Sequence, residues 1–196
     1  MLAGGLRSSD VERLHDLAGQ LRGVRQVTAD WGTTLATARE VVMFNPTLWR
    51  SRTQLAEMNR LFHLAQRTEA TLEMLARQSL SMVEEVGHLP AIGDLVADCA
   101  AATHRLSGAI KHWNRPDGAR AILVDVAGRS APAEIDSADW RPTALMSLVR
   151  ALTVDLLQAT GLSRTGARAA LADTWGLPYA EGEAVDADDD ASALWG

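Results

Sequence analysis

The spacing of apolar residues limits the possible folds of this chain more than any other feature. Between positions 14 and 42, apolar side chains recur at alternating intervals of three and four residues. These intervals place them on one face of an α-helix, whereas a half-buried strand requires alternation at every second residue. Because such alternation never extends beyond four or five residues, an all-α protein is predicted. The stripe consists of Leu14, Leu17, Leu21, Val24, Thr28, Trp31, Leu35, Ala38 and Val42.

Breaks in the pattern divide the chain into about five to six helices. Asn45-Pro46 ends the first helix, because the residue before a proline is disfavoured in the α region. A second apolar stripe follows over residues 47–85, and two consecutive helices of this length predict an elongated, coiled-coil-like hairpin. The hairpin forms the base of a helical bundle domain that spans residues 10–175. Its shorter helices are predicted over residues 92–113, 119–127, 142–161 and 163–175.

Two terminal segments fall outside this bundle. Residues 9–12, Ser-Asp-Val-Glu, have the pattern of a capping box at a helix start, so residues 1–9 are predicted to be a linker without structure of its own. Residues 176–196 contain six acidic residues and no basic residue, which predicts a disordered acidic tail. Without that tail, positive and negative charges balance. A neutral body beside an acidic tail excludes nucleic acid as the main partner.

The most apolar segment, from Ala144 to Leu162, contains Arg150 and Asp155 and therefore predicts a buried helix rather than a membrane span. These two charges lie about 140° apart around a helix and cannot readily pair with each other. Each is expected to find a partner elsewhere or to reach solvent, because an unpaired buried charge is costly. Leu152 and Leu156 of the same helix are predicted to be among the most buried residues.

No catalytic, metal-binding or cofactor-binding residue is predicted. Glu85 and His88 have the Glu-x-x-His spacing of di-iron bundles, but such a site needs a second copy, which the sequence lacks. Gly87 and Pro90 also place His88 at a helix end, so two surface polar residues are the preferred interpretation. Cys99, the single cysteine, lies on an apolar stripe and is interpreted as a small buried hydrophobic residue.

Arginines concentrate around the second predicted helix. One interpretation is a patch that faces anionic lipid headgroups. The other is a solvated helix face, which the interleaved Glu57, Glu69 and Glu73 favour. The arginines concerned are Arg39, Arg50, Arg52, Arg60 and Arg67.

Two segments carry a resemblance to a known family. The first is NPTLWRSR at residues 45–52, and the second is VRALTVDLLQATGLS at residues 149–163, continuing through ARAAL at 167–171. Together they resemble the cytosolic region of the fusaric-acid-resistance-like (aromatic acid exporter) membrane proteins of actinobacteria, over about residues 10–175. In that family a long helical hairpin with an Asn-Pro-x-x-x-Arg junction follows a membrane domain. A late DLLxATGL helix then closes the soluble region.

The resemblance implies a non-catalytic domain on the cytoplasmic side of the inner membrane that serves assembly or gating. Its expected partners are a transmembrane portion of the same polypeptide, upstream of Met1, and further copies of the chain in a homo-oligomer. The candidate interaction or structural residues are Asn45, Pro46, Arg50, Arg52, Arg150 and Asp155.

Two alternative functions remain open at this stage. The first is a free-standing helical interaction or small-ligand-binding protein, with pockets lined by Trp31, Trp113 or Trp140. The second is a metal-dependent bundle enzyme that uses Glu85 and His88.

Overall fold

The computed structural model describes residues 1–45, 48, 51–112, 114–131 and 140–172. Within these ranges the chain forms seven helices and no strand, so the all-α prediction is confirmed. The helices are α1 (Leu2–Ser8), α2 (Val11–Phe44), α3 (Arg52–Val86), α4 (Pro90–Lys111), α5 (Asp117–Arg129), α6 (Trp140–Ala159) and α7 (Arg164–Ala169).

The prediction of a linker over residues 1–9 is wrong, because residues 2–8 form the helix α1. Leu2 and Leu6 lie four residues apart on one face of α1 and are buried in the main hydrophobic cluster. Ser9 ends α1 in the left-handed conformation, with φ 54°. Asp10 then caps α2, where its carboxylate accepts a hydrogen bond from the Arg13 N–H at 3.0 Å. A helix this short is unstable alone, so tertiary packing holds α1 in place.

Small residues let α1 pack closely against its neighbours. A Cβ added to Gly93 of α4 would lie 3.0 Å from the carbonyl oxygen of Ala3 and 2.8 Å from Cγ of Arg7. A Cβ added to Gly5 would lie 2.6 Å from the side chain of Leu14 on α2. Glycine at these two positions therefore permits close helix crossings in the fold.

Helices α2 and α3 form the predicted long hairpin. Their 34 and 35 residues correspond to a length of about 50 Å each. Between them, the rings of Trp31 and Phe62 meet edge-on with their centroids 5.5 Å apart. Nearer the base of the hairpin, Arg25 of α2 forms ion pairs with Glu69 and Glu73 of α3.

The hydrophobic core lies around α6, which packs against α3, α4 and α5, and buried residues of these four helices belong to one cluster. Helix α6 runs antiparallel to α3, since Arg141 at its start pairs with Glu85 and Gln158 at its end contacts Arg60. Leu152 and Leu156 of α6 are 3% and 5% exposed, so their predicted burial is confirmed. Side chains with no exposed surface include those of Leu6, Leu75, Leu123, Val126, Leu145, Val149 and Leu157.

Several helix ends differ from the predicted ones. Helix α6 begins at Trp140, ahead of Pro142, because a proline in the first turn of a helix removes no intrahelical hydrogen bond. Ser163 caps α7 as predicted, accepting from the Gly166 N–H at 2.9 Å, but α7 ends at Ala169. Residues 173–175 and the predicted tail, 176–196, lie outside the described residues. No helix in the described ranges has the combination of length and apolarity that crossing a membrane requires.

Candidate functional site

The closed end of the α2–α3 hairpin carries exposed apolar side chains. Phe44 is 83% exposed, Met43 is 53% exposed and Val41 is 52% exposed. Val42, between them, is buried against the hairpin and is the last residue of the predicted apolar stripe. We call residues 36–44 of α2 and 52–58 of α3 the hairpin tip.

The tip extends beyond the helix that packs along α3. The end of α6 reaches α3 at the level of Arg60, where Nη1 of the guanidinium donates to the Gln158 carbonyl at 2.8 Å. Residues 52–60 of α3 correspond to about 12 Å of helix, so the tip projects past the end of α6 by roughly that distance. The apolar tip residues are therefore on a projection rather than on a flat side of the bundle.

Of the four candidate residues near this junction, the structure describes two. Asn45 ends α2 in an extended conformation, with φ −121° and ψ 102°, and its carbonyl accepts from the Leu48 N–H at 3.0 Å. Arg52 is the first residue of α3 and is half-buried. Both residues have interaction partners. Pro46 and Arg50 lie outside the described residues.

The arginine series on α3 is not a continuous lipid-facing patch, because two of its members bind groups of the protein. Arg60 forms a two-bond ion pair with Glu57, at 2.6 and 2.8 Å, in addition to its bond with Gln158. Arg67 donates to the carboxylate of Asp155 on α6 at 2.6 Å. Both arginines therefore attach α3 to α6. The Arg67 side chain is also 47% exposed, as the solvated-face interpretation predicts, whereas that of Arg60 is 23% exposed.

Arg150 and Asp155 find separate partners, as predicted. Arg150 donates through Nη1 to the Ser130 carbonyl and through Nη2 to the Ala172 carbonyl, each at 2.7 Å. These bonds tie α6 to the end of α5 and to the chain after α7. Asp155 pairs with Arg67, and burial raises the pKa of its carboxyl even though the nearby guanidinium lowers it. Both residues join helices to one another, which is a structural role.

Two arginines bind the chain at the carboxyl end of α6, a feature that the sequence did not reveal. The last carbonyls of a helix lack intrahelical partners and favour nearby positive charge. Arg60 reaches the Gln158 carbonyl, and Arg120 of α5 donates through Nη2 to the Thr160 carbonyl at 2.6 Å. Gly161, with φ +94°, marks the helix end in the sequence. The arginines come from distant helices, so no local signal identifies them.

A cavity of about 200 Å³ lies where the end of α6 meets α3 and α4. Its lining is mostly apolar, with a few polar groups. The tryptophans proposed as pocket residues do not line this cavity. Trp31 packs on the other face of α3, Trp140 is 74% exposed, and Trp113 lies outside the described residues. Lining residues include Glu57, Arg60, Leu106, Ile110 and Thr160.

The residues considered as metal ligands or as a nucleophile make contacts of other kinds. Glu85 pairs with Arg141, and His88 is exposed in the turn between α3 and α4. Within the described residues, no group of three potential metal ligands comes together. Cys99 is buried in the core, where its Sγ lies 3.7 Å from Oγ1 of Thr153. Burial raises the pKa of this thiol to about 11, so it is un-ionised at neutral pH.

Comparisons with protein-family models, with curated proteins and with solved structures found no match to this chain.

Proposed function

We propose that this chain is a non-catalytic helical domain of an aromatic-acid-exporter-like membrane transporter, located on the cytoplasmic side of the inner membrane and serving assembly or gating. The observation that carries the proposal is the α2–α3 hairpin. One face of α3 is built into the core through α6, while the hairpin tip projects with exposed apolar side chains at the end of α2. An exposed apolar projection on a helical protein indicates a contact site for a partner.

The positions of the two resembling segments also support this proposal. The segment 45–52 leads into α3, and the segment 149–163 forms most of α6 and the turn after it. The two helices contact each other along their length and share the Arg67–Asp155 ion pair. Two sequence segments that are far apart in the chain therefore belong to one structural unit.

The arrangement suits a mechanical task. A displacement of the tip moves α3, and the bonds of Arg60 and Arg67 couple α3 directly to α6. Arg150 couples α6 in turn to the end of α5. In the proposed transporter, these bonds carry movement between the tip and the body of the domain.

The test is to read the genomic frame upstream of Met1 and to fractionate cells with an antibody against this chain. We expect an open frame that encodes several apolar segments of about 20 residues, and a product that fractionates with membranes. The matched control is the chain produced from Met1 alone, which we expect in the supernatant after a high-salt wash of the membranes, whereas the tethered product should stay in the pellet. A stop codon just upstream, with a ribosome-binding site before Met1, would refute the tethered domain.

The cavity at the end of α6 favours a second candidate, a free-standing small-ligand-binding protein. At about 200 Å³ it is smaller than most ligand pockets, but it combines an apolar lining with a few polar groups. If this candidate is right, a small aromatic probe such as indole should raise the melting temperature of the chain. The matched control is Ala109→Leu, which adds bulk at a lining position and should abolish the shift.

A further inference from the structure

The hairpin tip is built for a partner that accepts a few large apolar groups beside positive charge. Phe44, Met43 and Val41 expose most or about half of their surfaces at the projecting end of α2. We propose that the tip docks on an anionic lipid surface, with these three side chains entering the interfacial layer of the bilayer. This proposal rests on the proposed function, because it gives the domain its contact with the membrane.

The charge of the tip argues against a second copy of the chain as the occupant. Residues 36–56 contain three arginines and one acidic residue, so two tips that meet bring like charges together. An anionic bilayer has the opposite charge, and binding to its interface grows with the apolar area that enters it and with the attraction of basic residues to its lipids.

The charge of the tip selects an anionic lipid surface. Between positions 36 and 56 the sequence contains three arginines, Arg39, Arg50 and Arg52, and one acidic residue, Glu40. The next acidic residue, Glu57, is bound by Arg60 through two hydrogen bonds. Basic residues close to a negatively charged leaflet are attracted to it, and the attraction weakens as salt increases. Binding is therefore expected to need anionic lipid and to weaken in salt.

The direction of α1 is consistent with this orientation. The amide of Gln20 lies 2.7 Å from the sulfur of Met1, and Gly5 contacts Leu14, so α1 runs antiparallel to the start of α2. The first residue of α1 therefore faces the tip end of the hairpin. From Gln20 to Phe44 the rise along α2 is about 36 Å. In the proposed transporter, a membrane portion joined through Met1 would approach the domain from the side on which the tip projects.

The experiment is flotation of the purified chain with lipid vesicles. One set is made of phosphatidylcholine alone, and the other carries about one-third phosphatidylglycerol, which supplies the anionic surface. The variants are Phe44→Ser and, as a matched control, Val27→Ser. Val27 is 67% exposed on α2 but lies well away from the tip. Because both side chains are exposed, neither substitution should unfold the protein, and circular dichroism verifies this.

We expect the wild-type chain to float with the anionic vesicles and not with phosphatidylcholine, and to be released by salt. Phe44→Ser should weaken the partition coefficient at least about tenfold, because burial of one phenylalanine side chain is lost. Val27→Ser should leave it unchanged.

Other results would overturn the proposal. They are no flotation of the wild-type chain, equal binding to both vesicle types, or equal losses in the two variants. A concentration-dependent dimer in sedimentation that Phe44→Ser abolishes would assign the tip to a second copy of the chain instead. A failure of vesicle binding does not decide whether the reading frame upstream of Met1 is open. A closed frame together with intact vesicle binding would refute only the membrane tether of the proposed function. The two proposals thus fail separately.

Discussion

Replacing Leu6 by alanine tests whether α1 is an integral part of the bundle. The Leu6 side chain has no exposed surface, and its backbone carbonyl accepts a hydrogen bond from the Leu89 N–H at 2.7 Å. Removing a fully buried leucine side chain costs about 2–5 kcal/mol, because apolar contacts are lost and a cavity remains. In a chain of this size each kcal/mol lowers the melting temperature by about 2–4 °C. A loss near 3 kcal/mol therefore predicts a decrease of roughly 6–12 °C.

The assays are thermal unfolding, for the melting temperature, and urea unfolding, for the free energy, each followed by circular dichroism, with Arg7→Ala as the matched control on the same helix. Arg7 pairs with Asp94, but both side chains are about half exposed, so this loss should be about 0–1 kcal/mol. Amide hydrogen exchange over residues 2–8 reports on α1 directly. If Leu6→Ala is no more destabilising than Arg7→Ala, and the α1 amides exchange freely in the wild type, α1 is not docked and the reasoning fails.

Three further outcomes are expected. Gly93→Ala should destabilise the protein by about 1–3 kcal/mol, because the added Cβ would clash with α1. Gly23→Ala should stabilise it by up to about 1 kcal/mol, because the space around Gly23 is open and alanine favours the helix. Equal effects of the two substitutions in urea unfolding would contradict this. Cys99 should react with a disulfide reagent at pH 8 only after unfolding, because its pKa is raised to about 11 by burial, and rapid labelling of the native protein would be inconsistent with that environment. Because burial raises the pKa of Asp155 above its usual 3.8, the folded state binds this proton more tightly than the unfolded state does. The stability that the protonated Asp155 contributes is present below pH 3.8 and is lost as the pH rises above it. The wild type should therefore lose stability relative to Asp155→Asn between acidic and neutral pH. The opposite trend would mean that the attraction of Arg67 for the carboxylate outweighs the effect of burial.

The long elements of this fold could be predicted from the sequence, since each has a physical signal that repeats along the chain. The apolar stripe of α2 spans many helical turns, and Asn45-Pro46 gives a local reason for the helix to end. Helix α1 has neither property. It has two buried leucines and two glycines in seven residues, so its local propensity is low. Its helical state depends on contacts with Gly93, which is distant in the sequence, and with Leu14, whose contact with Gly5 follows no repeating pattern.

The candidate site could be predicted only in part, because the sequence gives charges but not the partners they face. The run of arginines on α3 divides at about residue 58 once the fold is known. Arg60 and Arg67 turn toward α6, where the exposed carbonyls of the helix end and the carboxylate of Asp155 favour positive charge. Arg52 lies on the other side of that division, as the first residue of α3 in the hairpin tip, where it is half-buried.

This division has a consequence for function. Helix α3 is held on one side by α6 and on the other by α2, which carries the exposed apolar side chains of the tip. A contact made by Phe44 therefore acts first on α2, which packs along α3, and the opposite end of α3 is fixed in the core through Leu75, Met82 and Val83. In the proposed transporter, a load at the tip would pass through α2 and α3 to α6, because packed interiors resist deformation. Substituting Arg67 by methionine should weaken this connection while leaving lipid binding by the tip intact. Measuring vesicle flotation alongside hydrogen exchange in α6 separates the two effects, and a loss of flotation in Arg67→Met would show that tip and body are not independent parts of α3.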